Sequence, residues 1–240
     1  PPRSTLFPYT TLFRSGGLSL KPTAGSMDSM KCDMAGAAAV IGAFVALAAN
    51  KTPRWVIGLI PATDNRPGEN AYTPNDVITM YNKSTVEVLN ADAEGRMILA
   101  DALTFAKQYD PELVIDLATL TGSAVIAVGV IGTPVYSTAA PERTAQILKS
   151  GFRMHERLVE FPLWDEYADE LKSEVADCKN IGSRNGGSIT AAKFLQRFVD
   201  YPWMHLDIAG PAFLDAADSY RGKHGTGVGV RLLYDFIQQY

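Results

Sequence analysis

Cysteine is scarce in this chain: Cys32 and Cys178 are the only two among 240 residues, and they lie far apart. That excludes a disulfide framework and makes a reducing cytoplasm the expected compartment. Histidine is nearly as scarce, with three residues, which disfavours a His-rich zinc site. Positive charge is also short. Lys and Arg number 22 against 26 Asp and Glu, a net charge of −4 that weighs against nucleic acid as the main ligand. The apolar, uncharged run at residues 34–49 falls short of the roughly 18 apolar residues a membrane span needs. Its Ala- and Gly-rich composition reads as a buried helix. No membrane association is expected, and no secretory signal is read.

What remains is ordinary for a globular protein: 47% apolar and 20% charged residues, and a chain long enough for a sizeable core. Residues 1–15, PPRSTLFPYTTLFRS, stand apart. Leu6-Phe7 recurs as Leu12-Phe13, Arg3-Ser4 recurs as Arg14-Ser15, and the stretch contains no acid. It could be a short Thr/Phe/Tyr-rich strand pair. The reading adopted is a foreign leader, set aside from the fold, with residues 16–240 as the domain.

From residue 16 onward, strands and helices alternate. Apolar runs at 54–62, 112–120, 132–137 and 203–209 read as strands, the first two buried on both faces. Residues 76–90 read as a hairpin turning near Asn82-Lys83. Helices are expected at 34–49, from 94 onward, and at 141–158, 161–174, 189–199 and 228–240. This alternation predicts an α/β fold, a three-layer α/β/α sandwich around a central mixed, largely parallel sheet.

Chemistry concentrates in Asn90-Ala91-Asp92-Ala93-Glu94-Gly95-Arg96. The residues before it alternate like a strand (Val86, Val88), and those after it fall at helical spacing (Met97, Ala100, Leu103). Asp92 and Glu94 therefore sit where a strand ends and a helix begins, on a backbone expected to be tight enough to need Gly95. Arg96 falls in the helix's first turn, where the dipole opposes a cation. An arginine there, beside two acids, needs another reason. Lys21 after a glycine turn and Asp33 at a helix start occupy comparable strand-end positions.

Carboxylates gathered in a cleft repel. Two unit charges ~4 Å apart cost on the order of 4 kcal/mol at a protein-like dielectric unless a cation intervenes. Such an oxygen-rich site suits Mg, Mn or carboxylate-held Zn. Two such ions can activate a water and polarise a carbonyl, with Lys21 and Arg96 answering the developing oxyanion. Plainer readings stand beside these: Asp33 as a helix cap, Lys21 as a solvated charge, His205 as a satisfied core histidine. His224-Gly225-Thr226-Gly227-Val228-Gly229 lacks the Lys-Ser/Thr of a phosphate loop and reads as a helix entry.

The central stretch closely resembles the NTDAEGR signature of the cytosolic leucyl aminopeptidase family, with Ala91 in place of Thr. Gly16-Gly17-Leu18-Ser19-Leu20-Lys21, Met30-Lys31-Cys32-Asp33-Met34, Thr119-Leu120-Thr121-Gly122 and His205-Leu206-Asp207-Ile208-Ala209-Gly210 also match, in the family's order. The resemblance implies the family's C-terminal catalytic domain, without the N-terminal one. It implies a two-metal aminopeptidase that removes Leu-like N-terminal residues from peptides, using Mn or Zn, with Mg as a third option. By motif position Asp33, Asp92 and Glu94 would ligate metal. Lys21 would steady the tetrahedral intermediate, and Arg96 would hold a bicarbonate acting as general base. Met30, Thr119 and Gly122 would line the substrate pocket. A cytoplasmic homo-hexamer is implied for the intact protein.

Two departures qualify this. Counting back from Ser15-Gly16-Gly17, the family's ligating Lys and Asp fall at Tyr9 and Arg14, neither of which can replace them. The span from Lys21 to Asp33 is one residue longer than expected. The expectation is therefore an aminopeptidase present as an N-terminally truncated, impaired fragment. The alternative is a non-catalytic relative, either a hexameric scaffold or a DNA-binding member of the fold.

Overall fold

The computed structural model describes residues 5–8, 11–12, 26–65 and 68–240. Lys21, Tyr9, Arg14 and the turn at Gly16-Gly17 lie outside the described residues. In chain order the strands are β1 (Thr5–Pro8), β2 (Thr11–Leu12), β3 (Val56–Leu59), β4 (Ala62–Thr63), β5 (Val77–Thr79), β6 (Thr85–Glu87) and β7 (Leu113–Ala118). They continue with β8 (Thr133–Ser137), β9 (Leu158–Glu160), β10 (Cys178–Lys179), β11 (Trp203–Asp207), β12 (Phe213–Leu214) and β13 (His224–Gly225). The helices are α1 (Ala35–Ala49), α2 (Glu94–Ala106), α3 (Gly122–Val128), α4 (Pro141–Arg153), α5 (Glu166–Asp169), α6 (Gly187–Gln196) and α7 (Val230–Gln239).

A six-stranded sheet in the order β3-β1-β7-β11-β8-β9 forms the middle layer. Every neighbouring pair is parallel except β11 with β8. Residues alternate across a strand, so β7 serves two cores. Leu113, Ile115 and Leu117 pack with α1, α4 and α7 on one face. Val114 and Ala118 pack with α2, α6 and Trp203 on the other. All six residues of β7 are buried, each large aliphatic among them contributing about 1.5–3 kcal/mol. This is the expected three-layer sandwich.

Several local expectations are corrected. The strand at 54–62 shrinks to β3, half-buried because it is the sheet's edge. The helix at 141–158 ends at Arg153. Glu156 folds back so closely that a Cβ on Gly151 would lie 2.6 Å from its carbonyl oxygen, and His155 takes a positive φ of 56°. The helix at 161–174 reduces to the single turn α5, its entry tied down by Lys193 Nζ donating to Leu163 O and Asp165 Oδ1. Asp33 does not cap α1, whose N-cap is Met34. Gly95 lies in the first turn of α2 and is not among the positive-φ glycines. The leader was set aside from the fold, yet the backbone of Thr5–Pro8 fills the slot between β3 and β7. A Thr- and Phe-containing extended segment suits such a slot.

By length and composition alone, residues Met27–Ala49 form a helical stretch long and apolar enough to cross a membrane. It is broken, however, into a 3-10 turn (Met27–Cys32) and α1. The helix was expected to be buried, but only one face of α1 (Ala39, Val40, Ala43, Leu47) belongs to the core. The other leaves Ile41 and Val45 exposed.

Candidate active site

The strand-to-helix junction after β6 is held by Asn180. Its side chain accepts from Leu89 N (2.9 Å) and Asn90 N (3.3 Å) and donates to Asn90 O (2.8 Å). Asn90 Oδ1 in turn accepts from Asp92 N at 2.9 Å, a local turn that turns the chain into α2. Glu94 and Arg96 are buried in the helix's first turn, while Asp92 is exposed. On the opposite side, Thr121 caps α3, its Oγ1 accepting from Ala124 N at 3.0 Å.

A cavity of about 250 Å³ opens between these elements, lined in part by Met30, Cys32, Asp33, Asp92, Glu94, Gly95, Arg96, Thr119 and Gly122. Every site residue expected from the sequence and lying among the described residues is on its wall. Buried Asp33 accepts from Thr119 Oγ1 at 2.6 Å. A second cleft of about 410 Å³ shares Asp92, Arg96, Thr121 and Gly122 and extends over Asn90, Ser183 and Arg184.

Arg96 is buried. Its Nη1 donates to Asn180 O at 2.8 Å. Burial pushes its pKa down to about 10, opposed by the charges of Asp207 and Glu94. Those two acids answer the misplaced charge that the helix dipole opposes.

Behind the cleft lies a chain of polar groups that sequence reading missed. Asp116, on β7, faces β11 directly opposite His205. It accepts from Trp203 Nε1 at 2.7 Å, and its Oδ1 lies 2.5 Å from His205 Nδ1. His205 is thus the expected core histidine, although its Nε2, like Arg96 Nε, has no hydrogen-bond partner among the described residues. Two residues on, Asp207 receives Leu120 N, Thr121 N and Thr121 Oγ1. A single acid in each of two otherwise mostly apolar strands, Asp116 in β7 and Asp207 in β11, was the available signal.

Buried carboxylates on a cavity wall suit a hard cation. Among the described residues, though, no three His, Cys, Asp or Glu side chains converge closely enough to hold one. Chemically the set fits an ion; geometrically it is not a closed site.

The Cytosol aminopeptidase family, catalytic domain, matches residues 10–234. This chain belongs to that family. It is 52% identical over 229 residues to the "Probable cytosol aminopeptidase" of Syntrophotalea carbinolica, covering 95% of this chain and 46% of that protein. Its counterpart from Geobacter sulfurreducens is 51% identical, with 94% and 45% covered. The chain thus spans about half the length of the curated relatives it matches. Among solved structures, the cytosol aminopeptidase of Coxiella burnetii superposes with a TM-score of 0.89 at 36% identity, over 100% of this chain and 53% of that one. The bottromycin maturation enzyme BotP in complex with Mn gives 0.89 at 36% identity, over 100% and 54%. Cytosol aminopeptidase relatives thus share this α/β sandwich, and the family assignment supports a peptidase.

Proposed function

We propose that the natural protein is a metal-dependent aminopeptidase taking Leu-like N-terminal residues from peptides, and that this chain is an impaired fragment of it. The observation that carries the reading is the gathering of Asp33, Asp92, Glu94, Arg96, Met30, Thr119 and Gly122 on one cavity wall, in a member of the cytosol aminopeptidase family. Asp33, Asp92 and Glu94 are the residues that would hold divalent ions, Mn or Zn. When bound, such ions polarise a carbonyl and activate water.

The chain's own residues supply the rest. Arg96, buried and pinned to Asn180 O, offers fixed positive charge for an anion such as bicarbonate or for the developing oxyanion. Lys21 would steady that oxyanion from the other side. Met30, Thr119 and the open position at Gly122 would receive the substrate's first side chain. We read residues 1–15 as foreign to the natural gene, although the family match takes in residues 10–15, with Tyr9 and Arg14 standing where two further ligands belong. The chain as written therefore binds at most one ion, weakly, and is nearly inactive. The intact protein is a cytoplasmic homo-hexamer.

The test compares this chain with one in which residues 1–15 are replaced by the corresponding segment of a relative. Each is assayed with Mn for release of the chromophore from a leucyl anilide. Turnover only in the replaced chain is expected. Full turnover in the chain as written would overturn the impairment. No turnover in either would overturn the enzyme reading in favour of a non-catalytic relative.

A further inference from the structure

We propose that Asp207 is a positioning residue that clamps the Leu120-Thr121 turn, the start of α6 and the end of β11 together behind the cleft, through the hydrogen bonds its carboxylate accepts. This rests on the aminopeptidase reading for its consequence, though not for its geometry. Asp207 is wholly buried at the end of β11. Its Oδ1 accepts from Leu120 N (3.1 Å), Thr121 N (3.3 Å) and Ala209 N (3.3 Å). Its Oδ2 accepts from Thr121 Oγ1 (2.7 Å) and Ser188 Oγ (3.3 Å). Ser188 itself receives Tyr136 OH at 2.7 Å. One carboxylate thus joins the turn before α3, the start of α6 and the end of β11.

The turn it holds lines both clefts. Thr121 also caps α3, so the clamp passes directly into the helix that carries Gly122 and Val125 to the cavity wall. The charge of Asp207 also favours the Arg96 cation. A buried carboxylate is costly unless its oxygens are filled with donors and a cation is near. Here the donors all come from segments bordering the cleft. The polar ladder Trp203–Asp116–His205 on the same face of the sheet backs it from below.

The experiment is amide hydrogen exchange on the full chain, comparing wild type with Asp207→Asn. An amide in place of the carboxylate turns one acceptor oxygen into a donor facing other donors. The amides of Leu120, Thr121 and Ala124 should exchange about ten- to hundred-fold faster, while those of α2 and α7 keep their protection. If Asp207→Asn fails to fold, Thr121→Val removes one donor without disturbing the carboxylate and should loosen the same amides to a smaller degree. Uniform acceleration throughout the chain, or no change at the turn, would overturn the clamp. In the chain with its first 15 residues replaced, Asp207→Asn should raise KM for the leucyl anilide as well as lower kcat. A fall in kcat alone would mean only fewer folded molecules and would also overturn the positioning role. If that parent chain shows no turnover at all, the aminopeptidase reading fails while the exchange result still decides the clamp.

Discussion

Arg96 carries its cation into the first turn of α2 and is buried there with only 8% of its surface exposed. Its partners explain how the fold tolerates this: the charges of Asp207 and Glu94 and the carbonyl of Asn180. Removing the cation would leave two buried acids without their counter-charge, a loss that typically costs about 3–5 kcal/mol. Arg96→Met should therefore lower stability by roughly 3 kcal/mol, read from the midpoint of urea unfolding. Arg96→Lys should recover part of that loss, because it restores the charge but not the planar fork that reaches Asn180 O. Equal midpoints for the two variants would show that shape, not charge, keeps Arg96 in place. That an arginine at this helix position needs another purpose was legible from the sequence. Its partners were not, because Asn180 and Asp207 reach it only through tertiary folding.

At the scale of elements, α7 enters the core through Gly229, whose φ is 94°. A Cβ there would lie 2.6 Å from Leu117 Cδ2 and 3.0 Å from Ala39 Cβ. Gly229→Ala thus combines left-handed strain with overpacking and should cost about 2–4 kcal/mol, seen as a lower urea midpoint; a neutral substitution would refute the close approach of α7 to β7. The β7–β11 pair carries a pH signature. Burial pulls the His205 pKa down, but the charge and hydrogen bond of Asp116, with help from Asp207, outweigh it and leave it raised. A raised folded value gives stability that is complete below the unfolded value of about 6.5 and is lost as pH rises through the folded value. Asp207, raised by burial, acts in the same direction. Stability measured by urea should accordingly decline from mildly acidic to alkaline pH, and Asp116→Asn should flatten that decline; a profile rising with pH would contradict it. These elements also show what sequence can reveal. β7 was legible because its six consecutive buried residues form a short run that is apolar except for Asp116, and the hairpin of β5 and β6 because its turn residues are local. α4 was overread because amphipathic spacing continues past the point where Gly151 lets the chain fold back. The Asp116–His205 pair was invisible because only sheet register sets those residues opposite each other.

At the scale of the whole molecule, the site residues come from segments that only the closed sheet brings together: the turn before α1, the start of α2 and the end of β7. The motifs in each segment were legible separately. The incompleteness of the donor set was an expectation drawn from Tyr9 and Arg14, which lie outside the described residues. Parallel strand pairing is tolerant of side-chain identity, so the slot filled by Thr5–Pro8 can be taken by segments of different sequence. On the proposed reading, stability and chemistry would separate at β1. Replacing residues 1–15 with a relative's segment should change the unfolding midpoint little, while Mn affinity measured by calorimetry rises at least ten-fold and leucyl anilide turnover appears. Within that restored chain, Glu94→Ala should abolish turnover and return Mn binding to the level of the unrestored chain. The substitution should also lower the unfolding midpoint, because buried Arg96 then keeps only Asp207 of its two counter-charges. Turnover surviving Glu94→Ala would mean that the acids after β6 serve only to balance Arg96, and the chemistry would have to be sought elsewhere along the cleft.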